Sequence, residues 1–409
     1  MKKEKPLYGL PEEVLFCKKC VISNQRPSST VEFKANPDDK KETIDFDDYG
    51  VCSACRYHAE KELNIDWNDR EDKLKRLLSK FRKNDGSYDV IVPGSGGKDS
   101  AYTSHILKYK YGMNPLTVTW APHLYTDIGF KNFQKWMHVG GLDNILYTPN
   151  GQLHRLMTKF AFHNLLHPFQ PFIIGQRIIG PMMAKRFGVK LVMYGENQAE
   201  YGNAIKENLN PIMKMDFYSS ATLGGYRFGG VTIDEYINQY GFSLADFAPY
   251  IAPSKNNLIK AKIEVHYLGY YLKWDPQECY YYASENTGFE ANTERTEGTY
   301  SKYSSIDDKI DPFHYYTTLI KFGIGRATYD AAQEVRNDKI TREEAVHLVS
   351  KYDSEFPSKY FHEFLDYIDT TEEDFWKVIN KHRSPHIWKL SEEGKWLLRH
   401  TVAKDGTDD

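Results

Sequence analysis

Apolar positions along the chain follow two spacings. Trp67, Leu74, Leu77, Leu78 and Phe81 recur at helical intervals in a charged background, which predicts an amphipathic helix whose role is packing. Tyr88 to Val92 is then a short, dense apolar run of buried-strand type. A glycine-rich loop follows, and a helical pattern from Ala101 to Tyr111 ends at the stop residue Gly112. Further strands are expected at Pro115–Trp120, Asp143–Tyr147 and Val189–Gly195, with helical patterns over 127–139, 151–165 and 173–187 between them. Strands alternating with helices imply a parallel sheet that binds its ligand at the C-terminal strand ends, here after Thr119, Tyr147 and Gly195. The stretch 341–399 reads as polar amphipathic helices ahead of an acidic tail at 405–409.

Composition narrows the class. The 409 residues are 41% apolar and 27% charged, and 53 Lys+Arg against 56 Asp+Glu give a net charge of −3. At roughly 150 residues per domain, such a chain is a soluble protein of two or three domains. No run approaches the roughly 20 apolar residues of a membrane span, and the opening MKKEKPLYGL lacks the apolar run of a signal peptide. A cytoplasmic protein without a membrane partner is expected. Near-neutral charge also argues against a grip on nucleic acid, which draws affinity from many unpaired cations.

Four of the five cysteines form two pairs, Cys17-Lys-Lys-Cys20 and Cys52-Ser-Ala-Cys55. Two such knuckles complete the four-sulfur tetrahedral shell of a structural Zn²⁺ site, a reading that outranks a redox pair or plain buried thiols. Pro27, Pro37, the acidic run Asp45–Asp48 and Gly50 would form the finger between them. With every ligand a sulfur, the metal should fold the module and do no chemistry. The first 89 residues carry 18 basic and 18 acidic residues, so this ribbon has no net positive field for nucleic acid.

The glycine-rich loop is Pro93-Gly94-Ser95-Gly96-Gly97-Lys98-Asp99-Ser100. Between a strand and a helix, Gly94, Gly96 and Gly97 let backbone N–H groups approach an anion, and the helix start adds about half a unit of positive charge. Ser95 and Ser100 offer hydroxyls, Lys98 a cation, and Asp99 a carboxylate that caps the helix or holds Mg²⁺. The string is neither a Walker A loop nor a G-x-G-x-x-G fingerprint. It resembles instead the SGGxDS signature of the PP-loop, or N-type, ATP pyrophosphatases, which cleave ATP to AMP and pyrophosphate while activating a carbonyl oxygen as an adenylate. The resemblance implies a HUP-like α/β parallel-sheet core and assigns Gly94 and Ser95 through Ser100, with Thr119, to ATP and pyrophosphate. Lys98 and Asp99 become catalytic candidates. Gly195-Glu196-Asn197 resembles the G-[TEH]-N segment beside the adenylation site of this family, so Glu196 is expected to orient Mg²⁺ or a proton and Asn197 to contact the substrate amide. Without the resemblance, a solvated carboxylate and a turn asparagine would be the better reading. His123 and Asp127 are weaker candidates past the second strand.

A longer resemblance spans roughly residues 10 to 385. The double CxxC front, the loop, Asn292-Thr293-Glu294-Arg295-Thr296-Glu297-Gly298-Thr299-Tyr300-Ser301-Lys302-Tyr303, Ile306-Asp307-Asp308-Lys309-Ile310-Asp311, Lys321-Phe322-Gly323-Ile324-Gly325-Arg326 and Ile340–Ala345 together resemble the N-acetyl sugar amidotransferases of bacterial surface-polysaccharide and nonulosonic-acid pathways. Those enzymes are thought to turn an acetamido group into an acetamidino group, as in lipopolysaccharide O-antigen biosynthesis. The substrate implied is an N-acetylated sugar, free or nucleotide-linked. Arg295, Glu297, Thr299, Tyr300, Lys302, Lys321 and Arg326 are its candidate contacts, although each charge taken singly is more often a surface residue. The Gly323–Arg326 turn is either a second anion cradle or a plain helix entry.

Cys279 lies in a Tyr-rich helical stretch and reads as a buried small residue, and no glutaminase nucleophile is present. Ammonia is therefore expected from elsewhere, and the resemblance implies a separate glutaminase and cyclase-like pair as its source. The expected organisation is a zinc ribbon at 1–65, an ATP-binding core at 66–200, a substrate region at 201–340, and C-terminal helices with the tail at 341–409. Two rivals remain: a tRNA-modifying PP-loop enzyme of thiolation or lysidine type, for which only Cys279 is left over, and a non-catalytic nucleotide-binding subunit.

Overall fold

The structure, a computed structural model, describes residues 4–196, 200, 210–220 and 225–404. Asn197 and the acidic tail lie outside the described residues. The first helices are α1, Ser53–Leu63, and α2, Trp67–Phe81, the latter capped by the Asp66 carboxylate, which accepts from Asn68 N and Asp69 N.

At the centre is a parallel sheet of five strands: β1 Val90–Pro93, β2 Pro115–Trp120, β3 Asp143–Tyr147, β4 Leu191–Tyr194 and β5 Glu264–Tyr267. Every residue of β1 and β2 is buried, as expected of strands covered on both faces. The connecting helices are α3 Lys98–Tyr109, α4 Asp127–His138, α5 Gly151–Leu165 and α6 Gln170–Phe187. The strand order is β3-β2-β1-β4-β5. The chain runs outward from β1 on one side and then returns to build on the other, so the reversal opens a crevice at the carboxyl ends of β1 and β4.

The expected strands are all present, and β5 joins them unforeseen. Glu-Val-His-Tyr is too short and too polar to read as a strand alone; pairing with β4, Leu191 opposite Glu264, fixes it. At the other end, 341–399 is not helical throughout. After helices Arg342–Tyr352, Phe361–Tyr367 and Glu372–Lys381, an antiparallel hairpin pairs Trp388–Leu390 with Trp396–Leu398, turning at Gly394 with φ +76°. Two short apolar runs about a turn mimic a helical period, which is how the pattern misleads.

The cysteine module and the C-terminal region share one apolar core, from Leu10 and Cys17 to Trp388 and Val402. Arg342 donates from Nε to the carbonyl oxygens of Cys20 (3.2 Å) and Cys17 (3.4 Å), fastening the C-terminal helices to the first knuckle. Among the described residues, no helix is long and apolar enough to cross a membrane.

Candidate functional site

The loop after β1 is held open by its own backbone. Gly94 N donates to Val118 O (3.0 Å), carrying the sheet one residue past the strand. A Cβ on Gly94 would come within 2.1 Å of Ser100 Cβ, and Gly96, at φ +87°, would press one to 2.8 Å from Phe133 Cα. Both positions therefore require glycine. The Ser100 hydroxyl accepts from Gly96 N (3.2 Å) and donates to Gly97 O (3.0 Å), folding the loop over the start of α3. Gly97 caps α3 without a side chain, which leaves the first amides of the helix for a ligand.

Asp99 does not cap the helix. Its Oδ2 accepts from Lys98 Nζ (2.6 Å), and its Oδ1 is buried without a hydrogen-bond partner. Lys98 is itself buried. Burial opposes its charge, but the carboxylates of Asp99 and Glu196 outweigh that and hold the ammonium charged beyond the usual lysine range.

Two cavities meet at this loop, one of about 600 Å³ and one of about 340 Å³. Ser95, Gly97, Asp99, Gln176, Arg177 and Glu196 line both. Glu196 follows β4, at the strand end where chemistry was expected. Gln176 and Arg177 project from α6 and were not foreseen. Arg177 Nη1 donates to Thr30 O (3.0 Å) and its guanidinium lies 5.0 Å from the Phe217 ring centroid. Its Nε and Nη2 meet no acceptor among the described residues, leaving a fork of the kind that binds phosphate or carboxylate. Thr30 belongs to the cysteine module, whose Ser29 lines the larger cavity. Thr119, by contrast, lines neither cavity: buried in β2, its Oγ1 accepts from Asn144 Nδ2 (2.9 Å).

The far wall of the larger cavity comes from Ser301 to Lys339. Asp307 accepts a hydrogen bond from the Ser95 hydroxyl, bridging loop and wall; burial pushes its carboxyl up while that bond pulls it down. Asp311 is pushed up to about 7, first by burial and then by Asp307 and Asp308, against Arg326 and the Ser305 hydroxyl. Arg326 pairs with Asp330 (3.0 Å), bonds the Tyr315 hydroxyl and lies 4.5 Å over the Tyr315 ring.

Of the seven sugar-contact candidates, Arg326 alone lines this cavity. Arg295 gives both guanidinium nitrogens to Glu355 at 2.6 Å. Glu297 accepts from Ser358 Oγ (2.7 Å) and Lys359 N (3.0 Å). Lys302 Nζ reaches Thr293 O, and Lys321 Nζ is buried against Leu165 O. Thr299 and Tyr300 work from behind the wall, donating to Asp330 (2.7 Å) and Glu334 (2.8 Å), two carboxylates that do line it. The Gly323–Arg326 turn is indeed an anion cradle, and the anion is internal. Asp353 accepts from Gly325 N, Thr328 N and Thr328 Oγ1, each at 2.8 Å. Asp127 is exposed at the start of α4, and His123 is a strut to Asp308.

The four cysteines converge. Their sulfurs all lie within 4.8 Å of one another, with 3.9 Å from Cys17 to Cys55 and 3.8 Å from Cys20 to Cys52. A tetrahedral ion with sulfur ligands at about 2.3 Å sets its ligands about 3.8 Å apart, so the cluster fits one ion. Lys19 N and Cys52 N both donate to Cys17 Sγ (3.4 Å). Buried Arg336 is raised despite its burial by the charge of these thiolates, a cation set against an anionic cluster. Cys279 is buried in helix Pro276–Thr287.

Residues 297–402 match the family model described as LPS biosynthesis protein WbpG-like, C-terminal domain. No curated protein matches the chain. Among the solved structures similar to it are the three that follow. The NH3-dependent NAD synthetase of Campylobacter jejuni, in complex with nitrate, has 17% identity and a TM-score of 0.26 over 32% of this chain, which spans 56% of that enzyme's length. The NMN synthetase of Francisella tularensis has 12% identity and a TM-score of 0.28, over 70% of this chain and 97% of the other. The U34-tRNA thiolase NcsA of Methanococcus maripaludis, with its [4Fe-4S] cluster, has 11% identity and a TM-score of 0.29, over 83% and 89%. The chain thus joins a parallel α/β sheet with a glycine-rich loop after β1 to residues 297–402 that match the WbpG-like C-terminal-domain model, and residues of both line the larger cavity.

Proposed function

We propose that this chain is an ATP-dependent amidotransferase of LPS or related surface-glycan biosynthesis, acting in the cytoplasm on an N-acetylated sugar. One observation carries the reading: a single cavity of about 600 Å³ has the PP-loop on one wall and the WbpG-like residues 301–339 on the other. The proposed ATP site would thus open directly onto residues that match an LPS-biosynthesis family model.

The acetamido oxygen attacks the α-phosphorus of ATP and pyrophosphate leaves, which turns an unreactive amide into an imidate with AMP as leaving group. Ammonia adds to the imidate carbon, a proton is lost, and the C–O bond breaks to release AMP and the acetamidino sugar. The loop amides and Lys98 hold the departing pyrophosphate, and Arg177 offers its free fork to the phosphate charge at the junction of the cavities. Asp311, poised near neutrality, is the base that takes the proton.

The unpartnered Asp99 Oδ1, with Glu196 across the junction, suits a hard cation held by oxygen. Mg²⁺ there would shield phosphate charge. The cysteine cluster suits structural Zn²⁺. Ammonia is assigned to a separate glutaminase and cyclase-like pair, because four of the five cysteines are in the cluster and the fifth is buried.

The test is incubation of the purified chain with ATP, Mg²⁺ and candidate acetamido sugars, supplied with ammonium or with glutamine. AMP, pyrophosphate and an amidine product are expected with ammonium and not with glutamine alone. AMP formation that depends on tRNA and ignores every acetamido sugar would defeat the reading.

A further inference from the structure

A separate pocket, of about 400 Å³, opens between the C-terminal hairpin and the helix Asp311–Phe322, and it shares no lining residue with the two cavities at the loop. Arg383 lines it and lies against two indoles, its guanidinium carbon 4.5 Å from the Trp388 ring centroid and 5.2 Å from that of Trp396. Trp388 is fixed in place, since its Nε1 donates to Ile320 O (2.8 Å). Arg383 is only 9% exposed. Its Nε donates to Asn380 Oδ1 (3.2 Å) and it shares a hydrogen bond with the Tyr316 hydroxyl, yet Nη1 is buried with no partner. Among the described residues no carboxylate pairs with it.

A buried guanidinium without a counter-charge lowers stability, and two stacked indoles offset only part of that cost. The rest of the lining answers the question of what completes the site. Lys389 and Lys404 also line the pocket, and among the described residues no acidic residue does. The exposed side chains of Trp396 and Leu397 offer apolar surface, and the Ser354 and Thr401 hydroxyls offer hydrogen bonds beside it. Cations, an indole face and hydroxyls together select a ring that has an apolar face, several hydroxyls and a negative charge.

We propose that this pocket binds an acidic sugar, one carrying a carboxylate or phosphate, with the anion on Arg383 and Lys389 and the ring against Trp396. The site is separate from the proposed reaction and does not depend on it.

Calorimetric titration of the full chain with glucuronate, with glucose and with inorganic phosphate tests this. Saturable binding of glucuronate is expected, with none for glucose and weaker binding for phosphate. Arg383→Gln and Trp396→Ala should each weaken glucuronate at least about tenfold, the factor for one lost charge-assisted hydrogen bond or comparable contact. Lys389→Glu changes an exposed residue, keeps the fold, and should weaken it as well. ATP binding should be unchanged in all three variants. Absence of saturation in the wild type, or glucuronate binding by Lys389→Glu equal to that of the wild type, overturns the proposal. Phosphate as tight as glucuronate overturns its sugar component. A glucuronate-containing oligosaccharide run alongside separates the two sources of such a ring: tighter binding than the free sugar assigns a residue within a glycan, and equal binding the monosaccharide.

Discussion

Asp308 Oδ2 accepts from both the backbone N (2.7 Å) and the Nδ1 (2.8 Å) of His123, tying the loop after β2 to a residue 185 positions away. Its Oδ1 accepts from Leu124 N (3.3 Å) and Ile310 N (2.9 Å). One buried carboxylate thus fastens the WbpG-like region to the core. Asp308→Ala would strand an imidazole and three backbone donors, so a loss of about 3–5 kcal/mol is expected by urea denaturation. A loss below about 1 kcal/mol, the scale of an ordinary surface change, would contradict that role.

Arg177→Gln should weaken ATP binding by about tenfold to a hundredfold, since it removes a charge and a donor fork while leaving the rest of α6 intact. Arg177→Lys should recover part of the loss, because it restores charge without the fork. Titration with ATP measures both. Equal affinity in wild type and Arg177→Gln would remove Arg177 from the phosphate site.

Burial pushes the Lys321 ammonium down to about 7, with Lys41 adding to the effect and Glu32 opposing it. An unfolded lysine keeps its proton to about pH 10.4, so between about 7 and 10 the unfolded chain holds the extra proton. Stability should therefore rise with pH across that window and be indifferent to this group below it. Lys321→Met should abolish the rise. Melting curves of the two proteins that run parallel from pH 6 to 10 would refute this.

Elemental analysis should find one zinc per chain, and its removal by a strong chelator should lower the melting temperature. Because Thr30 O anchors Arg177 and Glu32 O accepts from Gln170 Nε2 (2.7 Å), the metal-free protein should also bind ATP less tightly. Unaltered ATP affinity after complete metal loss would show that the module does not shape the site.

Asp311→Asn should lower kcat by about 100-fold or more and flatten the rise of activity with pH through neutrality that a base titrating near 7 produces. If the variant keeps the profile, the proton goes elsewhere.

The loop at Gly94–Ser100 and the cysteine knuckles were legible because each has a local cause: backbone packed too closely to admit a side chain, and cysteines spaced to converge. The surroundings of the expected sugar contacts were not. Arg295 beside Gly298 looks the same in one dimension whether its fork meets a ligand or Glu355, sixty residues on. Arg177 was hidden for a different reason: inside an otherwise apolar helical pattern, a single cation reads as the solvated edge of that helix. Its interruption of the run Phe172 to Met183 was the available signal. Asp307 and Asp311 stood in a motif quoted for resemblance alone, and nothing local distinguishes a cavity carboxylate from a surface one.

Among the described residues two helices are entered through a glycine, at Gly97 and at Gly325, and the Asp353 carboxylate occupies the second. A carboxylate tethered to the same chain competes at an effective concentration that dissolved phosphate does not reach. A nucleotide entering the cavity beside Arg326, as proposed, would therefore find one such landing place for its polyphosphate and not two. Asp353 acts as a blank key left in the lock, and under the proposed function it would give a bound triphosphate a single direction.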